Sequence, residues 1–230
     1  LYTILTTPDS VATDILKKIG IDISKILSPV RMPPPEVILE ALSLYQKVFR
    51  KPSLTVYCLD FSGSMTGAGN EQLKSAMELI LDQKLSSKYL IDVSDDDVTI
   101  VIPFSDSPMG LWKVRGNDAA QLSALLQNIR RLSPKGGTDI YSPVITALEL
   151  IQKENPENYL CSVVLMTDGL SNVGRNIDHV RAYWGKMGLD IPVFSIMFGN
   201  ASENQLKDLS EMTRGRVFDG RKDLLDAFRK

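Results

Sequence analysis

From Leu54 onward the chain repeats a pattern that few folds accept: an unbroken β-rich apolar run, then a stretch with helical spacing. Leu54-Thr55-Val56-Tyr57-Cys58-Leu59 offers no polar face, so a strand here must be covered on both sides, as in parallel sheets. Residues 98–104, 160–166 and 191–198 read the same way. Between the first two runs, Leu73, Ala76, Met77, Ile80, Leu81 and Leu85 recur at helical spacing. Further helices are predicted over 119–129, 142–151, 177–184 and 203–212, and a last one from Asp223. Residues 110–114 predict a short return strand, antiparallel to its neighbour, and 216–218 another short strand. Strands alternating with helices predict a doubly wound α/β fold, helices on both faces. Such folds bind ligands outside the C-terminal ends of the strands, where strand order reverses.

Residues 1–53 are a different kind of sequence. Val11, Ile15, Leu16 and Ile19 form one apolar helical face after Pro8-Asp9-Ser10, and Gly20 ends it. Pro33-Pro34-Pro35 opens a second amphipathic helix through Val37, Ile38, Ala41, Leu42, Tyr45 and Val48. The prolines from Pro29 to Pro35 predict extended linker between them. We therefore divide the chain into a leader or tail of a preceding domain, 1–53, and a main domain, 54–230. The start at Leu1-Tyr2-Thr3 reads as that of a fragment or processed product.

Composition narrows the chemistry. With 26 basic and 28 acidic residues the formal net charge is −2, which gives no global attraction to nucleic acid or anionic membranes. One histidine and two distant cysteines cannot build a histidine-rich or four-cysteine zinc site. No run approaches about 18 apolar residues free of charge, the length a membrane span needs.

The polar residues that end the strands are grouped. The first strand runs into Asp60-Phe61-Ser62-Gly63-Ser64, where alternate side chains can converge as the chain leaves the sheet. Pro134-Lys135-Gly136-Gly137-Thr138-Asp139 closes another loop, with Thr138 placed at a helix start, and a later strand delivers Thr167-Asp168-Gly169. Two carboxylates with two or three hydroxyls make an all-oxygen ligand set of the kind that suits Mg²⁺. No imidazole or exposed thiolate accompanies them, so zinc and copper fit poorly.

Taken together, Asp60-x-Ser62-x-Ser64, Thr138 in Gly-Gly-Thr-Asp, and Thr167-Asp168-Gly169 resemble the metal-ion-dependent adhesion site of von Willebrand factor type A (VWA) domains. The spacings, 78 residues from Asp60 to Thr138 and 30 from there to Asp168, fit that family. The resemblance covers about residues 54–230. It implies a mostly parallel, Rossmann-like six-stranded sheet of order 3-2-1-4-5-6 with one antiparallel edge strand. It implies that Ser62 and Ser64 bind Mg directly, with Ca or Mn as substitutes. Asp60 and Asp168 bind directly or through water, and Thr138 enters when a partner is bound. It further implies a non-enzymatic protein-binding module whose metal shell is completed by an Asp or Glu of a partner. The loops 66–70, 107–110, 132–137 and 170–175 would form the rim. The segment Pro34-Pro35-Glu36-Val37-Ile38-Leu39-Glu40-Ala41-Leu42, ending in Arg50-Lys51-Pro52-Ser53, resembles the junction in bacterial proteins that join a solute-binding domain to a VWA domain. That resemblance implies an extracytoplasmic or membrane-associated bacterial setting; cytoplasmic bacterial VWA proteins are also known.

Plainer readings stand beside these. Asp60, Asp168 and Thr138 can be helix caps. Cys58 and Cys161, on neighbouring strands, read as buried thiols, His179 as a surface or packing residue, and Trp112 and Trp184 as packing residues. Asp92, Asp95, Asp96 and Asp97 form either a solvated edge or a calcium-prone loop. The alternative functions are a metal-dependent phosphoester hydrolase and a scaffold with a vestigial metal site. Against an enzyme, Ser62 has no general base in reach of its sequence context, and neither a dinucleotide fingerprint nor a P-loop occurs.

Overall fold

A computed structural model describes residues 18, 33–45, 50–89, 91–199 and 203–221. Contacts divide the chain into two units, 1–44 and 45–230. The first contains helix α1, Pro35–Leu44, opened by proline as expected and without a buried residue. The earlier leader helix and the helix from Asp223 lie outside the described residues.

In the second unit each apolar run is a strand. β1 (Ser53–Asp60) is followed by a 3-10 turn at Gly63–Met65 and by α2 (Ala68–Leu81) and α3 (Gln83–Tyr89). Then come β2 (Val98–Phe104), β3 (Trp112–Arg115), α4 (Ala119–Arg131) and α5 (Tyr141–Gln152). β4 (Leu160–Thr167), α6 (Ile177–Met187), β5 (Val193–Met197), α7 (Glu203–Met212) and β6 (Val217–Asp219) complete it. The six strands lie in the order β3-β2-β1-β4-β5-β6. Every pairing is parallel except β2 with β3.

The double covering inferred from sequence is visible in the cores. Leu54, Val56 and Cys58 face one cluster, which includes Val144, Ala147 and Leu148 of α5. Tyr57 and Leu59 face the other, with Leu73, Met77 and Ile80 of α2 and Leu122 and Ile129 of α4. The same alternation holds in β4, where Val163 and Leu165 turn one way and Val164 and Met166 the other. Pro103 is tolerated inside β2 because β3 pairs only as far as Val101. The helix expected through Leu85 is two helices, since the Asp82 carboxylate accepts the N–H groups of Lys84 and Leu85 and starts a new turn.

The tract from Arg50 to β1 is tied down by a charge. Asp97, 3% exposed at the start of β2, accepts the Ser53 N–H at 2.6 Å, the Ser94 N–H at 2.8 Å and Arg50 Nη2 at 2.6 Å. Its carboxylate is occupied by donors, and Asp95 and Asp96 are exposed, as a solvated edge requires. Among the described residues no group of three or more His, Cys, Asp or Glu is placed to hold a metal, so the calcium-loop alternative at this cluster finds no support. Cys58 and Cys161 are both free thiols; Cys58 pairs in register with Leu165, several residues along β4 from Cys161. No described helix is long and apolar enough to cross a membrane.

Candidate functional site

Strand order reverses between β1 and β4, the two neighbours at the centre of the sheet. Asp60 is the last residue of β1 and Thr167 the last of β4, so both end at the crevice where such folds bind ligands. Asp60 is fully buried, and both of its oxygens are engaged. Oδ1 accepts the Ser62 N–H at 2.7 Å, curling the chain back on itself, and Oδ2 accepts the Thr167 hydroxyl. Thr167 Oγ1 in turn accepts the Gly169 N–H at 3.0 Å. The Oγ atoms of Ser62 and Ser64 are 3.1 Å apart, Ser62 buried and Ser64 exposed.

Asp168 is 6% exposed, and its Oδ1 is buried with no hydrogen-bond partner among the described residues. A buried carboxylate oxygen without a donor is costly, because it has lost water and gained nothing. It also acts on Asp60. Burial pushes the Asp60 carboxyl up to about 6, and the Asp168 charge adds to the rise, while the hydrogen bonds from Thr167 and Ser62 oppose it.

Thr138 arrives on a loop laced to both of the others. Phe61 O accepts the Lys135 N–H at 2.8 Å and Gly136 O accepts the Gly63 N–H at 3.0 Å, joining this loop to the Asp60–Ser64 segment. Thr138 O accepts the N–H groups of Asn172 and Val173, and Asn172 Oδ1 accepts the Thr138 N–H at 3.0 Å, joining it to the loop after Asp168. Thus Asp60, Ser62 and Ser64 are held in one chain of contacts, and Asp168 is close enough to Asp60 to perturb its charge. Thr138, 2% exposed, is brought to the same end of the sheet through backbone contacts of its loop.

Thr138 is not at the helix start, where the sequence pattern placed it; α5 begins at Tyr141. The capping belongs to Asp139, whose Oδ1 accepts the Tyr141 and Ser142 N–H groups, both at 3.0 Å. Its Oδ2 takes the Ser142 hydroxyl at 2.6 Å and the Arg175 N–H at 3.2 Å. A Cβ on Gly174, at φ +77°, would sit 1.9 Å from that Oδ2, so only glycine lets the loop close over Asp139. Asp139 and Thr167 support the site, yet neither stood out in sequence as a site residue. The cap signal at Asp139 was there to find, an acid just ahead of an apolar helical pattern. His179 shares a capping box with Asn176 at the start of α6, and Trp184 packs against the core with Nε1 donating to Ile191 O. A cavity of about 550 Å³ beside Ser53, Leu160 and Ile191 lies at the opposite ends of the strands, away from these carboxylates.

The von Willebrand factor type A domain model matches residues 55–171, half of the chain. The chain belongs to the von Willebrand factor type A family. Over 180 residues it is 27% identical to inter-alpha-trypsin inhibitor heavy chain H6 of Homo sapiens, covering 70% of this chain and 12% of that one. It therefore spans about an eighth of that relative's length. Among solved structures, the VWA fold is shared with manganese-loaded TRAP protein of Plasmodium vivax, at TM-score 0.56 and 17% identity, covering 78% of this chain and 72% of that one. It is shared also with proximal thread matrix protein 1 of the mussel byssus, solved with a zinc-occupied MIDAS motif. There the TM-score is 0.52 and the identity 17%, over 77% of this chain and 46% of that one.

Proposed function

We propose that this VWA domain is a protein-binding module in which Asp60, Ser62, Ser64, Thr138 and Asp168 hold a divalent cation. The observation that carries the reading is the buried Oδ1 of Asp168, without a hydrogen-bond partner among the described residues, near the buried Asp60 carboxyl. A cation supplies the partner that oxygen lacks and offsets the repulsion between two acids. The donors are carboxylate and hydroxyl oxygens, a hard set for which Mg²⁺ is the natural ion, with Mn²⁺ or Ca²⁺ as substitutes. Such an ion supplies an attachment point for an acidic side chain, and we propose that an Asp or Glu of a partner protein takes it.

What the chain itself contributes is support. Thr167 orients Asp60 by its hydroxyl, and the Ser62 N–H fixes the other oxygen. Asp139 and Asn172 pin the two loops that bring Thr138 and Asp168 to the same end of the sheet. Manganese and zinc in the structures of two fold neighbours favour a divalent ion here as well. Binding rather than catalysis fits the site, because the chain's one imidazole, His179, is committed to capping α6. In this reading 54–230 is the binding domain and 1–53 the leader, a junction with a preceding solute-binding domain.

The test is capture of partners from an extract of the native organism in magnesium, in chelator, and with Asp168→Ala. Proteins retained only by the wild type in magnesium support the reading. An identical set under all three conditions contradicts it and moves the binding surface elsewhere. A phosphoester hydrolase would instead turn over a small phosphorylated compound and lose that turnover in the same variant.

A further inference from the structure

Two large apolar side chains stand in solvent on the loop that follows Asp168: Leu170 is 56% exposed and Val173 43%. Their exposure does not come from a loose loop. Ser171 N–H donates to Gln205 Oε1 at 2.7 Å, and Gln205 Nε2 donates back to Ser171 O at 3.3 Å. Asn172 and Val173 are pinned to Thr138 O, and Gly174 and Arg175 close over Asp139. Val173 also lies across Gly137, where a Cβ would come within 3.1 Å of its Cγ2. The pinned backbone therefore keeps Leu170 two residues from Asp168 and Val173 against the residue before Thr138. Apolar surface held in water by a fixed backbone beside an acid-lined cleft is area that a partner's apolar side chain can cover at a gain.

We infer that the site selects a protein segment whose acidic residue is flanked by a bulky apolar one, the acid going to the cleft and the apolar side chain onto Leu170 and Val173. The inference rests on the cation-dependent reading above and adds to it the residue type beside the acid. In that reading the cation takes the acid by charge complementarity. The apolar shoulder then discriminates among acids that the cation alone would treat alike.

The probe is a set of immobilised short peptides with one Glu in a Gly/Ser background, the positions on either side varied through all residues. In magnesium the wild type should bind peptides with Leu, Ile, Met or Phe within two positions of the Glu about ten-fold more tightly than the Gly/Ser-flanked ones, the effect of burying one such side chain. The double variant Leu170→Ser, Val173→Ser should lose that preference, bind Gly/Ser-flanked peptides as before, and keep the magnesium-induced rise in Tm. A flank-indifferent wild type, a double variant that keeps the preference, or no acidic peptide bound at all overturns the inference. If the preference disappears in the double variant but binding survives chelator and Asp168→Ala, the apolar shoulder stands and the cation reading falls. Chelator-sensitive binding with no flank preference gives the reverse.

Discussion

At the scale of single residues, the charge state of Asp60 is contested by burial, by its donors Thr167 and Ser62, and by Asp168. With its carboxyl raised to about 6, the metal-free fold holds a proton that the unfolded chain releases nearer its ordinary value of about 3.9. The sign follows. As pH rises from about 4 to about 6, this group subtracts stability from the metal-free protein, and a cation restores it by favouring the charged form. The magnesium-induced rise in Tm should therefore be small at about pH 5 and full above about pH 7. Thr167→Val keeps the shape but removes the donor to Asp60 Oδ2 and the acceptor for the Gly169 N–H. It should cost about 1–3 kcal/mol in denaturant unfolding and move the pH midpoint of the magnesium effect upward. An unchanged midpoint would show that Thr167 does not set the state of Asp60.

At the scale of elements, the four inner strands β1, β2, β4 and β5 are legible because each is apolar on both faces, and the alternation with helical spacing leaves one architecture. The antiparallel β3 is read from residues 110–114 and the order of the sheet from the resemblance, and both are what the structure has. The positions of Asp60, Ser62, Ser64 and Asp168 were legible too, since each follows directly from where a strand ends. Less legible was anything that depends on contacts far apart in sequence. Asp139 serves α5 and a loop 36 residues on, and Thr167 reaches Asp60 across 107 residues. No local pattern at Thr167 announces that bond. Asp139→Ala should remove the cap of α5 and the anchor of the 170–175 loop together. The cost should be about 2 kcal/mol or somewhat more, by chemical denaturation. A loss of only a few tenths would mean that the loop is held by Asn172 and Gln205 alone.

For the main domain as a whole, the two ends of the sheet have different tasks. At the N-terminal ends, Arg50 and the Ser53 N–H converge on Asp97 and fasten the chain leading into β1 to β2, which makes residues from Arg50 onward part of the domain's own stability. Arg50→Ala should cost about 2 kcal/mol without changing cation affinity, since it removes a charge-assisted bond to a buried carboxylate far from the site. At the C-terminal ends, buried acids are gathered with one oxygen unpartnered among the described residues, a local cost that cation binding would offset. The cation should accordingly stabilise the fold by mass action, by about 2.7 kcal/mol at a hundred times its dissociation constant. Equilibrium dialysis of magnesium against wild type and Asp168→Ala, both checked for native circular dichroism, goes to the centre of this. One ion bound per wild-type chain and none per folded Asp168→Ala chain is the expected result. Equal binding by the two proteins, or none by the wild type at millimolar magnesium, would contradict a cation held between Asp60 and Asp168.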